Sequence, residues 1–366
     1  MNRQSFRIIS AVLLVMLVSV RLTAVGVEDA PVDSGEARST RLVTDCFNRQ
    51  VSIPEEINTV ACLYAFSTHV VTMLGEDERI TAVVEGSKRD RLLNEISPHI
   101  LTAATPSNGG LINIEELLAV NPDLVFLKGE TALLDDETAK LDLFSIPYIV
   151  IDFNDMATQM RAIDVIGEVM GRAEKAADFN RYYQSVLEST RVRFSGLKAE
   201  DKTRIFHSVN EATRTDAAGT LMAEWTETAG AVNVSVGEEL RIYENKYFAG
   251  IEQIIAWDPE VIICNEYGVD SYILSNEKWA AITAVKENRV WIIPTGISRW
   301  GHPGGMETPL AILWTASMLY PDLTMDIDMV EETRSFYKEF FNYMIDDELL
   351  GQILSGGRMR IARNNG

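Results

Sequence analysis

A fifteen-residue stretch is written twice in this chain, and that repetition restricts the fold more than any other feature. The first copy reads Asn113-Ile-Glu-Glu-Leu-Leu-Ala-Val-Asn-Pro-Asp-Leu-Val-Phe-Leu127. The second reads Gly250-Ile-Glu-Gln-Ile-Ile-Ala-Trp-Asp-Pro-Glu-Val-Ile-Ile-Cys264. Ile, Glu, Ala and Pro are identical, and most of the rest are close chemical swaps. The separation is far longer than the ~20–50-residue period of a solenoid, so it predicts two related lobes.

Each copy has a physical reading. Ile114, Leu117 and Leu118 fall at i, i+3 and i+4, and Ile251, Ile254 and Ile255 repeat the stripe, which predicts a short helix with one buried face. Asn113 is placed to cap the first helix, with Glu116 as its capping-box partner. Pro122 and Pro259 end the helices, because proline disfavours helical geometry in the residue before it. An apolar run follows in each copy, as in a buried parallel strand. Glu115 and Glu252 sit off the apolar stripe in the first turn and are expected to face outward. Helix-dipole complementarity alone would account for either of them. The same carboxylate in the same turn of both lobes favours a shared function.

Strand and helix patterns alternate through both halves, giving an α/β fold. It comprises two Rossmann-like lobes with central parallel sheets, joined by a single long rigid α-helix. Leu42 to Ile53 reads as a hairpin around Asn48-Arg49. The expected boundaries are an N-terminal lobe over 41–172, a connecting helix over 173–199 and a C-terminal lobe over 200–366. The connector has no proline, and no glycine before Gly196; helix to Leu197 predicts a rod close to ~40 Å.

Before residue 41 the sequence predicts a secretory signal over 1–26 and a disordered leader over 27–40. Arg3 and Arg7 flank the start, Ile8 to Val20 form the apolar core, and Ala24-Val-Gly26 offers small residues for cleavage. No cysteine follows closely enough to anchor a lipid. The expected location is therefore the periplasm or the outer face of the cytoplasmic membrane. Cleavage of the segment is left open. A formal charge of −21 argues against nucleic acid or anionic lipid as partner, since both require a basic face. Cys62 and Cys264 lie in apolar runs and read as buried thiols; pairing of Cys46 with Cys62 is left open.

Loops after parallel strands are where open α/β lobes bind ligands. Four of them hold most candidates: Tyr64 to His69, Lys128 to Glu130, Asn265 to Gly268, and Pro294 to Glu307. The last combines Arg299, which suits bidentate capture of an anion, with Trp300, which suits stacking on a flat ligand, and His302. The candidate ligand residues are Tyr64, Lys128, Trp225, Tyr267, Arg299, Trp300 and His302. No metal-ligand motif, phosphate loop or nucleophile elbow is present in the sequence, and no cofactor or resident metal is expected.

The ordered pieces Thr44-Asp45…Val51-Ser-Ile-Pro54, the repeated Ile-Glu…Pro unit, Ala229-Gly-Ala-Val-Asn233 and Trp291-Ile-Ile-Pro294…Trp300…Pro309-Leu…Trp314-Thr-Ala…Leu319-Tyr-Pro321 resemble a known family. It is that of the periplasmic substrate-binding proteins of ABC importers for iron complexes, haem and cobalamin. The likeness spans about Leu42 to Ile345. It implies a monomeric, non-enzymatic receptor that holds its ligand between the lobes. It also implies that Glu115 and Glu252 dock onto arginines of the membrane permease. Members also bind molybdate or tungstate. Tyr64, Phe66, Trp225, Tyr267 and Trp300 favour the larger ligand, an iron chelate such as a siderophore or haem. A bare oxyanion or cobalamin is the alternative. Outside that class stand a chelatase-like metal-handling enzyme using His207 or His302 with Glu307, and a surface sensor or adhesion module without transport.

Overall fold

The computed structural model describes residues 39–244, 246–357 and 359–361. The predicted signal and most of the predicted leader lie outside the described residues. Thr40, placed at the leader's end, already opens the first strand. That strand, Thr40–Thr44, pairs antiparallel with Gln50–Pro54, and Asn48 turns the hairpin at φ 60°.

Two four-stranded parallel sheets follow, one per lobe. The first runs in the order Ile80–Val83, Val60–Leu63, Leu124–Lys128, Tyr148–Ile151. The second runs Val232–Asn233, Arg204–Ser208, Val261–Cys264, Val290–Ile292. Counted within each lobe, both orders are 2-1-3-4, so the two lobes share one topology. The duplicated strands, Leu124–Lys128 and Val261–Cys264, take the same third place in their sheets. Val60–Leu63 and Val261–Cys264 are buried along their whole length, as expected of parallel strands covered on both faces.

The duplicated helices are Ile114–Val120 and Ile251–Trp257. Each ends on a left-handed residue just before its proline, Asn121 at φ 44° and Asp258 at φ 46°. Asn113 caps the first helix by accepting from the Glu116 amide. The reciprocal half of the predicted capping box does not form. The Glu116 carboxylate accepts instead from the Thr105 amide, and the Asn113 amide donates to Pro106 O.

The connecting helix spans Ala173–Arg193, 21 residues or about 31 Å. It is one turn shorter than the sequence pattern predicts, because Phe194 leaves helical geometry ahead of Gly196. Ala176, Phe179, Tyr183, Val186 and Thr190 bury one face of it. Phe179 meets Phe340 of the Met329–Phe341 helix edge-on at 5.0 Å between ring centroids. The chain then returns to the N-terminal lobe. The Arg91 amide donates to Met359 O, Arg360 Nε donates to Asp90 Oδ1 at 2.8 Å, and the Ile361 amide donates to Arg89 O. Among the described residues, no helix is long and apolar enough to cross a membrane. Cys46, Cys62 and Cys264 are free thiols.

Candidate functional site

Because both sheets are parallel and wound alike, the loops leaving their carboxyl ends meet between the lobes. There they enclose a cleft of about 850 Å³. The N-terminal lobe contributes Tyr64, Lys128, Asp152 and Phe153 from three post-strand loops, and Ser107 to Gly110 from a small hairpin. The C-terminal lobe contributes Arg214 to Asp216, Ala218 to Met222, Lys246, Tyr247 and the His302-Pro303-Gly304 segment. Gly109, Gly110 and Gly219 all stand at positive φ, so these loops fold back tightly and leave main chain beside the ligand space.

Three of the seven predicted ligand residues therefore share the cleft: Tyr64, Lys128 and His302. Tyr64 donates its hydroxyl to Pro303 O at 2.9 Å, a clasp from one lobe to the other. Burial first, and then the Asp152 and Glu130 carboxylates, hold its phenol far above the ordinary range. Lys128 pairs with Glu130 at 2.6 Å and lies 5.7 Å from the Tyr64 ring centroid.

The other four lie outside the cleft lining. Trp225 is fully buried and donates from Nε1 to Gly301 O at 3.0 Å. Trp300 is also buried, inside the main core. Arg299 turns away to Asn210 Oδ1 and Glu266 Oε2, and Tyr267 is exposed on the loop that follows the second duplicated strand. Both tryptophans serve to anchor the loop rather than to wall the ligand space.

That loop is held by buried polar bonds. Gln159 Nε2 donates to Gly305 O at 3.1 Å, while its Oε1 accepts from Tyr183 and Thr308. The Glu307 carboxylate accepts from the Ser298 amide, the Ser298 hydroxyl and the Tyr337 hydroxyl, and burial raises its pKa. Glu307 does not line the cleft, whereas His302 does. His207 is likewise interior, 2.6 Å from Asp216 Oδ2. His69 is buried on its helix face, 3.4 Å from Asp90.

The cleft carries carboxylates as well as cations, but they are unevenly engaged. Asp216 Oδ2 is engaged by His207 and Asn233, while its buried Oδ1 has no partner among the described residues, and Glu130 is engaged by Lys128. Burial raises the pKa of Asp152. The corner around His302 differs. The Gly304 amide donates to His302 Nδ1 at 3.0 Å, so the neutral ring carries its proton on Nε2. Burial, followed by Arg299, Arg360, Arg214 and Lys128, drives the imidazole pKa well below the usual range. The charges that weigh most on this ring are positive. An uncharged N–H donor set among cations suits an anion.

Several lining residues escaped sequence reasoning: Asp152, Arg214, Lys246, Tyr247 and the two small-residue loops. Arg214 follows the Arg204–Ser208 strand, and Gly109-Gly110 and Ala217-Ala218-Gly219 are visible as turn-forming runs. Those signals were present. Lys246 and Tyr247 come from a short antiparallel strand, Lys246–Phe248, which no periodicity marks.

Glu115 and Glu252 are both exposed, each in the first turn of its duplicated helix.

The sequence profile described as periplasmic binding protein matches residues 60–295. The molybdate-binding protein MolA of Haemophilus influenzae is 26% identical over 341 residues, covering 84% of this chain and 93% of its own. The structure of molybdate-bound MolA superposes with a TM-score of 0.74 at 23% identity, covering 84% of this chain and 99% of that one. A periplasmic haem-binding protein from Pseudomonas aeruginosa gives 0.59 at 14% identity, covering 73% and 94%. These structures share the two-lobe fold. With its matched segment spanning more than half its length, the chain belongs to the periplasmic binding protein family, the solute receptors of ABC transporters.

Proposed function

We propose that this protein captures a tetrahedral metal oxyanion of the molybdate or tungstate class in the inter-lobe cleft and hands it to an ABC permease. The observation that carries this reading is the His302 corner, where a neutral imidazole donor lines the cleft together with Arg214 and Lys128. The relative named for molybdate supports it. So does the placement of Trp225, Trp300 and Tyr267 outside the cleft lining, since they were most of the case for a flat chelate or macrocycle. In this reading Glu115 and Glu252 present the two lobes to the permease, and the N-terminal segment directs export.

An iron chelate stands as the second reading, favoured by the cleft's size. About 850 Å³ is in the range of pockets for organic ligands, and Tyr64, Phe153 and Tyr247 supply some aromatic wall. Calorimetric titration with molybdate, tungstate, a ferric catecholate chelate and haem separates the two. The expected result is saturable molybdate and tungstate binding at one cleft site, with no heat from haem. Chelate or haem binding without oxyanion binding would overturn the reading.

Two predictions follow from the corner's electrostatics. Arg214→Gln removes a charged donor whose hydrogen bond contributes about 1.5–3 kcal/mol, so molybdate affinity should fall roughly 10- to 100-fold. His302, neutral in the free protein, should leave affinity nearly flat between pH 8 and pH 6. A bound dianion offsets the neighbouring cations, but the burial that disfavours imidazolium remains. A rise in affinity of about tenfold over that range, roughly 1.4 kcal/mol, would mean the ring gains its proton on binding.

A further inference from the structure

We propose a second anion site, for a small tetrahedral oxyanion, in the cavity lined by Asn265, Arg299, Arg360 and Arg89. This cavity has a volume of about 290 Å³ and shares no lining residue with the cleft. It lies at the carboxyl ends of Arg204–Ser208 and Val261–Cys264. These adjacent strands are the place where the C-terminal sheet reverses its winding, and open α/β sheets bind ligands at such crevices. The corresponding crevice in the N-terminal lobe, between the loops at Tyr64 and Lys128, opens into the cleft.

The donor inventory of the cavity is one-sided. Three guanidinium groups line it against one carboxylate, Glu266. Asn265 is only 2% exposed. Its Oδ1 accepts from the Asn210 amide at 2.7 Å, which fixes the orientation of the side-chain amide and leaves Nδ2 as the donor end. Among the described residues, that Nδ2 has no hydrogen-bond partner. A buried donor left unpaired is costly, and a bound acceptor would remove the cost. Arg299, itself 9% exposed, sends both its bonds from Nη1, to Asn210 and Glu266. Glu266 is the exposed partner of that pair, its side chain 44% accessible. It can swing into water when a stronger dianion arrives, and so acts as a placeholder. Burial depresses the Arg299 pKa to about 10, with Arg360 and Arg214 adding to the effect and Glu266 and Asp90 opposing it.

The walls come from three parts of the chain. Arg89 belongs to the N-terminal lobe, Asn265 and Arg299 to the C-terminal lobe, and Arg360 to the terminal strap held by Asp90. An anion bound here would draw these pieces together. The site does not depend on what the cleft carries.

The test uses the full chain, titrated calorimetrically with sulfate, phosphate and molybdate. Asn265→Asp keeps the acceptor for the Asn210 amide but places a carboxylate where the donor was. Arg299→Gln removes a guanidinium. Arg214→Gln removes a guanidinium that lines the cleft and not the second cavity. The expected result is that at least one probe binds with an affinity lowered tenfold or more by Asn265→Asp and by Arg299→Gln, and little changed by Arg214→Gln. Should either variant fail to fold, wild-type crystals grown with selenate supply the second measurement. An anomalous peak within hydrogen-bond distance of Asn265 Nδ2 is then expected. Isotherms that respond only to Arg214→Gln, or an absent peak, would overturn the site. Loss of molybdate binding in the cleft with sulfate still responding to Asn265→Asp would overturn the cleft reading and leave this one standing.

Discussion

Replacing both Glu115 and Glu252 with alanine should lower uptake through the transporter tenfold or more, while ligand affinity and thermal midpoint stay within error of the parent. Both carboxylates are exposed and stand in the first turns of helices that hold equivalent places in the two lobes. Neither lines the cleft. As helix-dipole partners they contribute about 0.3–1 kcal/mol each at most, so folding should hardly notice the change. If they dock the permease, they would act on orientation and association rate, where two charges on one body reinforce each other. The rigidity matters, because a connecting helix of 21 residues fixes how far apart the two carboxylates sit. Single substitutions should therefore cost more than half of the double effect on a logarithmic scale. If these carboxylates dock onto a basic permease face, reversal to arginine at both positions should be worse than alanine, since it adds repulsion. Uptake in proteoliposomes, measured beside binding by calorimetry, separates delivery from capture. Normal uptake by the double alanine variant would reduce the duplicated glutamates to helix-dipole partners.

The lobes were legible because duplication is a pattern in the letters themselves. Ile114, Leu117 and Leu118 recur as Ile251, Ile254 and Ile255, and the structure puts both units third in matching sheets. Helix length was less legible. Nothing before Gly196 forbids a longer rod, yet Phe194 packs against Tyr320 at 5.0 Å and leaves helical geometry to do so. The site was legible only by loop. Pro294 to Glu307 does border the cleft, but its side chains divide by partners that are remote in sequence. Trp300 enters the core, Arg299 finds Glu266, and only His302 to Gly304 reach the ligand space. Trp225 looked like a binding aromatic for the same reason that it is a good anchor. It offers a large apolar body with one donor, and Gly301 O takes that donor. Inside and outside differ by contacts that no local pattern encodes. Arg214 and Asp152 show the converse: ordinary charged residues acquire a role from the crossing of two lobes.

Gly301→Ala should strongly destabilise the molecule's candidate ligand loop, and Gly304→Ala three residues on should be far milder. Gly301 holds φ at +71°, a region that costs a residue with a side chain about 1 kcal/mol or more. An added Cβ would meet Trp225 Nε1 at 2.5 Å and Cε2 at 2.6 Å. That indole is buried, so it cannot yield without disturbing its neighbours, and overpacking of this kind costs about 1–3 kcal/mol. The Trp225 bond to Gly301 O would be strained as well, another ~1 kcal/mol. Together the change should destabilise the fold by about 3–5 kcal/mol, on the scale of a large-to-small core substitution. At Gly304 the φ is not left-handed, and the nearest atom to an added Cβ is His302 Nδ1 at 3.3 Å. There the loss should stay under about 1 kcal/mol, as for a change at an accommodating surface position. Chemical denaturation of both variants gives the comparison. Because His302 follows Gly301 directly, the first variant should also lose at least tenfold in oxyanion affinity at temperatures where it remains folded. Trp225→Phe in the Gly301→Ala background removes the atoms that clash, and should restore part of both losses. Equal stability of the two glycine variants would mean that the loop is not pinned by its tryptophan. The cleft's positive corner would then rest on Gln159 and Glu307 alone.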